Sequence, residues 1–320
     1  MLIVPEALIA DLLSPEDAFA AVEAVFAEMA RGGAYNFPVV REALGEGRQY
    51  GFKSGLDRAG GVLGVKAGGY FPGNAGRGIT NHQSVVALLD PESGRPTALV
   101  GGNLLTALRT AAASAIAIDR LARSDAKVLG MVGAGHQAQF QLRAAARVRR
   151  FEKVVAWNLH PDMLPRLGEV AAGLGLPFEA VDLPTLGAEA DVIVTITSSP
   201  AASLLDAHVR PGTHLSCMGT DTKGKQEVEP ALLARATVFA DEVAQSVTIG
   251  EAQHAVAAGI LREDAITPLG DVLIGRHPGR RSAGEITLFD GTGVGLQDLA
   301  VASRAVERAV ERGLATEVAI

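Results

Sequence analysis

Val132-Gly133-Ala134-Gly135-His136-Gln137-Ala138 closes an apolar run that begins at Lys127 and opens a helical one that continues to Arg149. A glycine-rich turn between a strand and a helix is the setting a dinucleotide fingerprint requires. Gly133 permits the sharp turn, Gly135 lets the backbone approach a pyrophosphate, and Ala138, in the third glycine's place, allows close helix–strand packing. Phosphates would meet the free N–H groups of the helix N-terminus, beside His136 and Gln137. No Gly-Lys-Ser/Thr ending follows, which excludes a Walker phosphate loop.

Working outward, the rhythm after Ser124 is that of parallel βαβ units: strand to Val132, helix from His136, strand Lys153 to Asn158, helix Met163 to Leu174, then strands Val192 to Thr197 and His214 to Met218. Asn158 ends the second strand where an acid usually holds the adenosine ribose. Its amide can bond a ribose hydroxyl without repelling a 2′-phosphate, but Leu159 and His160 offer no arginine for that phosphate, so NAD(H) is favoured over NADP(H). Thr197 and Ser198, with Met218, Gly219, Thr220 and Asp221, lie at further strand ends where a bound dinucleotide would pass, although capping a turn is an equally good account of several of them.

Before Ser124 the pattern differs. Ser14-Pro15-Glu16-Asp17 supplies a helix start, Phe19, Val22, Phe26 and Met29 share a face, and Gly32-Gly33 ends the run. Short apolar stretches broken by glycine, Tyr50–Lys53, Gly61–Lys66, Ser84–Leu89 and Thr97–Val100, read as antiparallel strands, and Leu104 to Ala122 as an alanine-rich helix. A last helix, about Leu296 to Arg312, shows Leu299, Ala302, Val306 and Val310 as a stripe and crosses back to the first domain. The expected fold is α/β: a Rossmann-type parallel sheet domain, 124–297, inserted in an α+β domain formed by 1–123 and about 298–320.

The bulk numbers agree with a two-domain globular chain: 320 residues, 48% hydrophobic and 20% charged. A net charge of −7 argues against a general nucleic-acid binder. The start lacks a signal-peptide pattern, and no apolar run is long enough for a membrane span. Cys217 alone excludes an internal disulfide and a thiolate zinc cluster, so no metal is expected and a reducing cytoplasm fits; the bland reading of Cys217 is a small buried hydrophobe.

Five stretches occur in a telling order: Lys66-Ala-Gly-Gly-Tyr70, Asn81-His82-Gln83-Ser84, Leu105-Thr106-Ala107-Leu108-Arg109-Thr110-Ala111-Ala112, the fingerprint, and Gly219-Thr220-Asp221-Thr222-Lys223-Gly224-Lys225-Gln226-Glu227. From about Tyr35 to Gln297 the chain resembles the ornithine cyclodeaminase/μ-crystallin family. The resemblance implies a homodimer with an outer substrate-binding and dimerisation domain. It further implies that Arg109 holds a substrate α-carboxylate, with Arg41 as a second such arginine, that Lys66 and Asp221 are catalytic, that Lys53 in Phe52-Lys53-Ser54-Gly55 joins the substrate set, and that Arg109 and Thr110 also reach the cofactor. The acid expected after Arg41 in cyclodeaminases is missing, since Gln49-Tyr50-Gly51-Phe52-Lys53 occupies that stretch, which disfavours ornithine cyclisation.

The chemistry supports these residue types independently. A nicotinamide hydride reduces an imine faster when its nitrogen is protonated, so the site needs a proton donor at that nitrogen and a grip on the neighbouring carboxylate. Lys66 can donate if burial or cations lower its pKa, and Arg109 supplies a planar fork. Between Arg41 and Arg77 six basic residues (Arg41, Arg48, Lys53, Arg58, Lys66, Arg77) stand against Glu42, Glu46 and Asp57. That excess suits an anionic substrate with two carboxylates. Within the family, the runs Phe52-Lys53-Ser54-Gly55, Lys66 to Asn74 and Asn81 to Ser84 resemble those of members that reduce iminosuccinate, so the reaction the resemblance implies is reduction of iminosuccinate to L-aspartate. Alanine dehydrogenation, cyclic ketimine reduction and cyclodeamination are the alternatives within the family. A nucleotide-binding protein without turnover is the non-enzymatic one, and the presence of both Lys66 and Asp221 weighs against it.

Overall fold

The computed structural model describes residues 1–319, which divide into two compact units: 1–109 with 294 onward, and 110–293. The division falls at Arg109 and Val294, whereas the change of sequence rhythm lies at Ser124; the Asn103–Leu121 helix spans the first boundary without interruption.

In the first unit, strands β1 (Leu2–Val4), β2 (Ala34–Asn36), β3 (Val40–Gly45), β4 (Arg48–Asp57), β5 (Val62–Tyr70), β6 (His82–Leu89) and β7 (Pro96–Gly101) form one sheet, extended at the β1 edge by Thr316–Glu317. β4, β5, β6 and β7 pair antiparallel in succession, and β1 joins β7 parallel. The Gly295–Glu311 helix packs on the inner face of β4, β5 and β6, with the Pro15–Arg31 helix against it. Ser14 and Asp17 close a capping box at the start of the latter, and Gly32 ends it. Its buried stripe is Ala18, Val22, Val25 and Phe26, rotated from the expected one, so that Phe19 and Met29 are only half-buried. In the last helix Leu299 and Ala302 of the expected stripe are buried, but Val306 is half-buried and Val310 exposed, and Asp298, Val301, Ala305 and Ala309 complete the buried face.

The second unit is a parallel sheet of β8 (Val128–Val132), β9 (Lys153–Trp157), β10 (Phe178–Ala180), β11 (Val192–Thr195), β12 (His214–Cys217), β13 (Ala236–Ala240), β14 (Thr267–Pro268) and β15 (Ile286–Asp290), in the order β10-β9-β8-β11-β12-β15-β13-β14. From β8 the chain steps outward to β9 and β10, then returns to β11 on the other side. That reversal places a crevice at the carboxyl ends of β8 and β11, where doubly wound sheets bind nucleotides. The chain is therefore α/β, with a Rossmann-type sheet inserted between the two segments of an α+β unit. Val132, Val155, Ile193, Leu215 and Leu288 are fully buried in its core. Cys217 is buried and burial pushes its thiol well up, the inert reading. No helix of the described residues is long and apolar enough to cross a membrane.

Candidate functional site

Alternation along the first unit's strands decides which side chains face the last helix. Lys53 on β4 and Lys66 on β5 are direct cross-strand partners, and Val86 on β6 continues their row. One row away Arg41 on β3 lies opposite Gly51. A side chain at Gly51 would run into the Val40 carbonyl and crowd the Arg41 side chain. Lys53 and Lys66 are 4% and 7% exposed, which is tenable only with a counter-charge. Asp298 supplies it from the last helix: its Oδ1 accepts from Lys66 Nζ at 3.0 Å and from Arg109 Nε at 3.0 Å. Lys66 Nζ also donates to Thr106 Oγ1 at 3.2 Å, and Arg109 Nη1 to Gln297 Oε1 at 2.9 Å. Glu6 fixes the helix that carries Thr106 and Arg109, accepting from the N–H groups of Asn103 and Leu104 at its N-terminus at 3.0 and 2.7 Å.

Burial is the main cause that lowers Lys66 to about 8; Asp298 opposes it, and Arg109 and Arg41 assist it. Burial followed by the charges of Lys66 and Arg109 lowers His82 to about 3, so its imidazole is neutral. For Asp298 burial acts upward, but Arg109, Lys66 and Lys53 together hold the carboxyl below its ordinary range. Lys66 uses two of its three N–H donors, and Arg109 two of five, so both retain donors for a ligand.

In the second unit the fingerprint residues gather at the carboxyl edge. Gly133 has φ +110°, and a Cβ there would lie 2.6 Å from the Ile196 carbonyl oxygen, so both conformation and space demand glycine. Around Gly135 nothing lies within 4 Å of a Cβ position, and Gly135 and His136 are exposed, leaving an open approach to the turn. Gln137 is half-buried at the N-cap of the helix that follows the turn. These are the features a pyrophosphate-binding turn needs, so the residues present fit a dinucleotide. Asn158 accepts from Ala134 N at 3.1 Å and donates to the His160 carbonyl at 2.8 Å, which pins the turn to the end of β9. Leu159 beside it is 72% exposed.

Thr197 donates its N–H and hydroxyl to Glu227, Ser198 is exposed, and Met218 and Thr220 are buried. Asp221 is half-buried just past β12, with Lys225 Nζ 2.9 Å from its Oδ1. Thr110 is buried in its helix.

The six basic residues between Arg41 and Arg77 do not act as a block. Arg41, Lys53 and Lys66 reach the cluster, whereas Arg48 pairs with Glu46, Arg58 lies over the Tyr35 ring, and Arg77 is exposed. Sequence reasoning missed Asp298 and Gln297. Their signal was a polar pair, Gln297-Asp298, on the inward side of an otherwise apolar helix start. It gave no role to His82, Thr106 and Glu227, although all three stand in the quoted motifs, and it did not single out Glu251.

The model of the Ornithine cyclodeaminase/mu-crystallin family matches residues 5–313. The iminosuccinate reductase of Paracoccus denitrificans (strain Pd 1222) is 64% identical over 321 residues, with 100% of each chain covered. The crystal structure of the iminosuccinate reductase of Paracoccus denitrificans in complex with NAD+ has a TM-score of 0.95 over 100% of this chain and 99% of that one. The Thermococcus litoralis Delta(1)-pyrroline-2-carboxylate reductase, solved with NADH and L-proline, has a TM-score of 0.94 at 27% identity, covering 99% of this chain and 100% of that one. Motifs, fold and full-length similarity agree: this chain belongs to the ornithine cyclodeaminase/mu-crystallin family.

Proposed function

We propose that this chain is an NAD(H)-dependent imine reductase that converts iminosuccinate to L-aspartate. The observation that carries the substrate class is the basic cluster in the first unit, where Lys66 and Arg109 both pair with Asp298, the charge of Lys53 acts on Asp298, and the charge of Arg41 acts on Lys66. A ligand with two carboxylates suits this concentration of positive charge; a cationic amino acid such as ornithine would be repelled by it. Arg109 takes the α-carboxylate with its remaining donors, while Lys53 and Arg41 receive the second carboxylate. Lys66, as an ammonium, gives a proton to the imine nitrogen. When bound, the dinucleotide supplies the hydride that the imine carbon accepts. One proton and one hydride turn C=NH into CH–NH2, and solvent returns the proton to Lys66. Asp221, held by Lys225, is the second catalytic group. Gly133, Gly135, His136, Gln137, Asn158, Thr197, Ser198, Met218, Gly219 and Thr220, with Arg109 and Thr110, form the dinucleotide set.

In this reading residues 1–109 with the C-terminal segment bind substrate, and 110–293 bind NAD(H). The outer face of the first sheet supports a homodimer: Tyr50, Phe52 and Val85 are exposed, and Val65 and Ala67 half-exposed, an apolar surface of the kind that partners cover. A single buried cysteine suits the cytoplasm. The test compares oxaloacetate plus ammonium with pyruvate plus ammonium at saturating NADH. The expected kcat/KM is higher for the dicarboxylate by about tenfold or more, equivalent to about 1.4 kcal/mol. Equal or reversed values would overturn the substrate assignment.

A further inference from the structure

Two carboxylates in the second unit, Glu227 and Glu251, are each 1% exposed and belong to none of the groups given roles above. Glu227 accepts from Thr195 Oγ1 at 2.7 Å, Thr197 N at 2.6 Å, Thr197 Oγ1 at 2.8 Å and Gly219 N at 2.8 Å. These donors come from the carboxyl ends of β11 and β12, neighbouring parallel strands. Glu251 holds the other side of the same loop: it accepts from Thr220 Oγ1 at 2.5 Å, from Glu227 N at 2.9 Å and from Val228 N at 2.8 Å. The loop between them carries Asp221. Gly219 is glycine because a Cβ there would collide with the Thr197 carbonyl and with Glu227 itself. Two residues after Glu251, Gln253 accepts from Gly224 N at 2.8 Å, so the same segment supports the middle of the loop.

We propose that Glu227 and Glu251 are a pair of positioning residues that set the rim Thr195–Thr197 and the loop Gly219–Val228 in register for the dinucleotide. This deepens the imine-reductase reading and rests on it. Glu227, with four donors, stays the anion of the pair, and Glu251 carries the proton, since burial and the adjacent Glu227 charge push it up to about 8. Asp290 and Cys217 are the other titratable groups facing Glu251, and Asp241 lies behind Asp290. Raising the pH through that value puts two negative charges side by side beneath the loop and loosens it.

The experiment measures NADH affinity by fluorescence from about pH 7 to about pH 9, together with amide exchange of Thr197, Gly219, Glu227 and Val228 in the cofactor-free protein. In the wild type, Kd is expected to rise about fivefold or more across that range while these amides lose protection. Glu251→Gln removes the titrating group and should flatten both profiles; Asp290→Asn should keep both slopes but move them to lower pH, since the Asp290 charge helps to raise Glu251. Glu227→Gln replaces an acceptor by a donor facing N–H groups and should raise the NADH Kd about tenfold or more at neutral pH, acting on cofactor KM more than on kcat. Wild-type slopes in Glu251→Gln, or wild-type Kd and exchange in Glu227→Gln, would overturn the proposal. If the protein binds no NADH at any pH, the imine-reductase reading fails, and amide exchange still decides whether the pair holds the loop.

Discussion

Lys66 stands directly opposite Lys53 across two strands, a placement that is repulsive unless something intervenes. Asp298 intervenes, and its removal should be visible in the chemistry. If Lys66 is the proton donor, kcat/KM for imine reduction falls as pH rises through about 8, because the ammonium is lost there. Asp298 raises the Lys66 value, so Asp298→Asn is expected to move that alkaline limb to lower pH; a limb that stays in place or moves up would refute the pairing. Lys66→Met should cost kcat about 10² to 10⁴, the usual contribution of general acid catalysis, with NADH binding retained. Near-normal kcat with an unchanged pH profile would pass the donor role to Asp221 or a water. Arg109→Lys keeps charge but cannot serve Asp298 and Gln297 together with a carboxylate, so KM should rise, measured in the same assays.

Among the elements, the β8 turn separates fold from ligand. Gly133→Ala meets the Ile196 carbonyl at φ +110°, so it should lower both Tm and NADH affinity. Gly135→Ala meets no protein atom; Tm should hold while NADH affinity falls because the added methyl occupies the approach to the turn. A Gly135→Ala enzyme with wild-type NADH Kd would show that the turn does not cradle the phosphates. Leu159→Arg, at an exposed position past β9, should shift preference toward NADPH in parallel kinetics with both cofactors. These elements were legible in sequence because strand, glycine turn and helix follow one another locally, and Lys66, Arg109 and Asp221 sit in short motifs. Asp298 was not legible, since its meeting with Lys66 spans 232 residues and depends on the phase of the last helix. That phase was misread because Val306 and Val310 are larger than the alanines at 302, 305 and 309 that pack against the sheet. Glu251 escaped, and Glu227 was quoted in its motif without a role, because a buried acid is chemically indistinguishable in sequence from a solvated one.

Across the whole molecule, buried titratable groups are shared unevenly: Lys53, Lys66 and Arg109 with Asp298 in the first unit, and the acids Asp191, Glu227, Glu251, Asp241 and Asp290 in the second. The two units should therefore answer pH in opposite directions. In the second, burial pushes Asp290 up to about 7 and Glu251 up to about 8, so the folded state keeps protons that an unfolded chain has released; stability falls as pH rises toward those values. In the first, Lys66 is lowered from 10.5 to about 8, so between those values the unfolded chain holds the extra proton and stability rises with pH. His82, lowered to about 3, and His214, lowered well below 6.5, are neutral in the folded chain, and the unfolded chain has released these protons by about pH 7.5, so above that pH they do not disturb the comparison. Amide exchange, corrected for its intrinsic pH dependence, reads each unit separately. Protection in β11, β12 and β15 is expected to fall from about pH 7.5 to about pH 8, and protection in β4 and β5 to rise from about pH 8 to about pH 10. Lys66→Met should abolish the rise in the first unit and leave the fall in the second. A common direction in both units would mean that global unfolding, rather than the local balance of buried charge, sets the response.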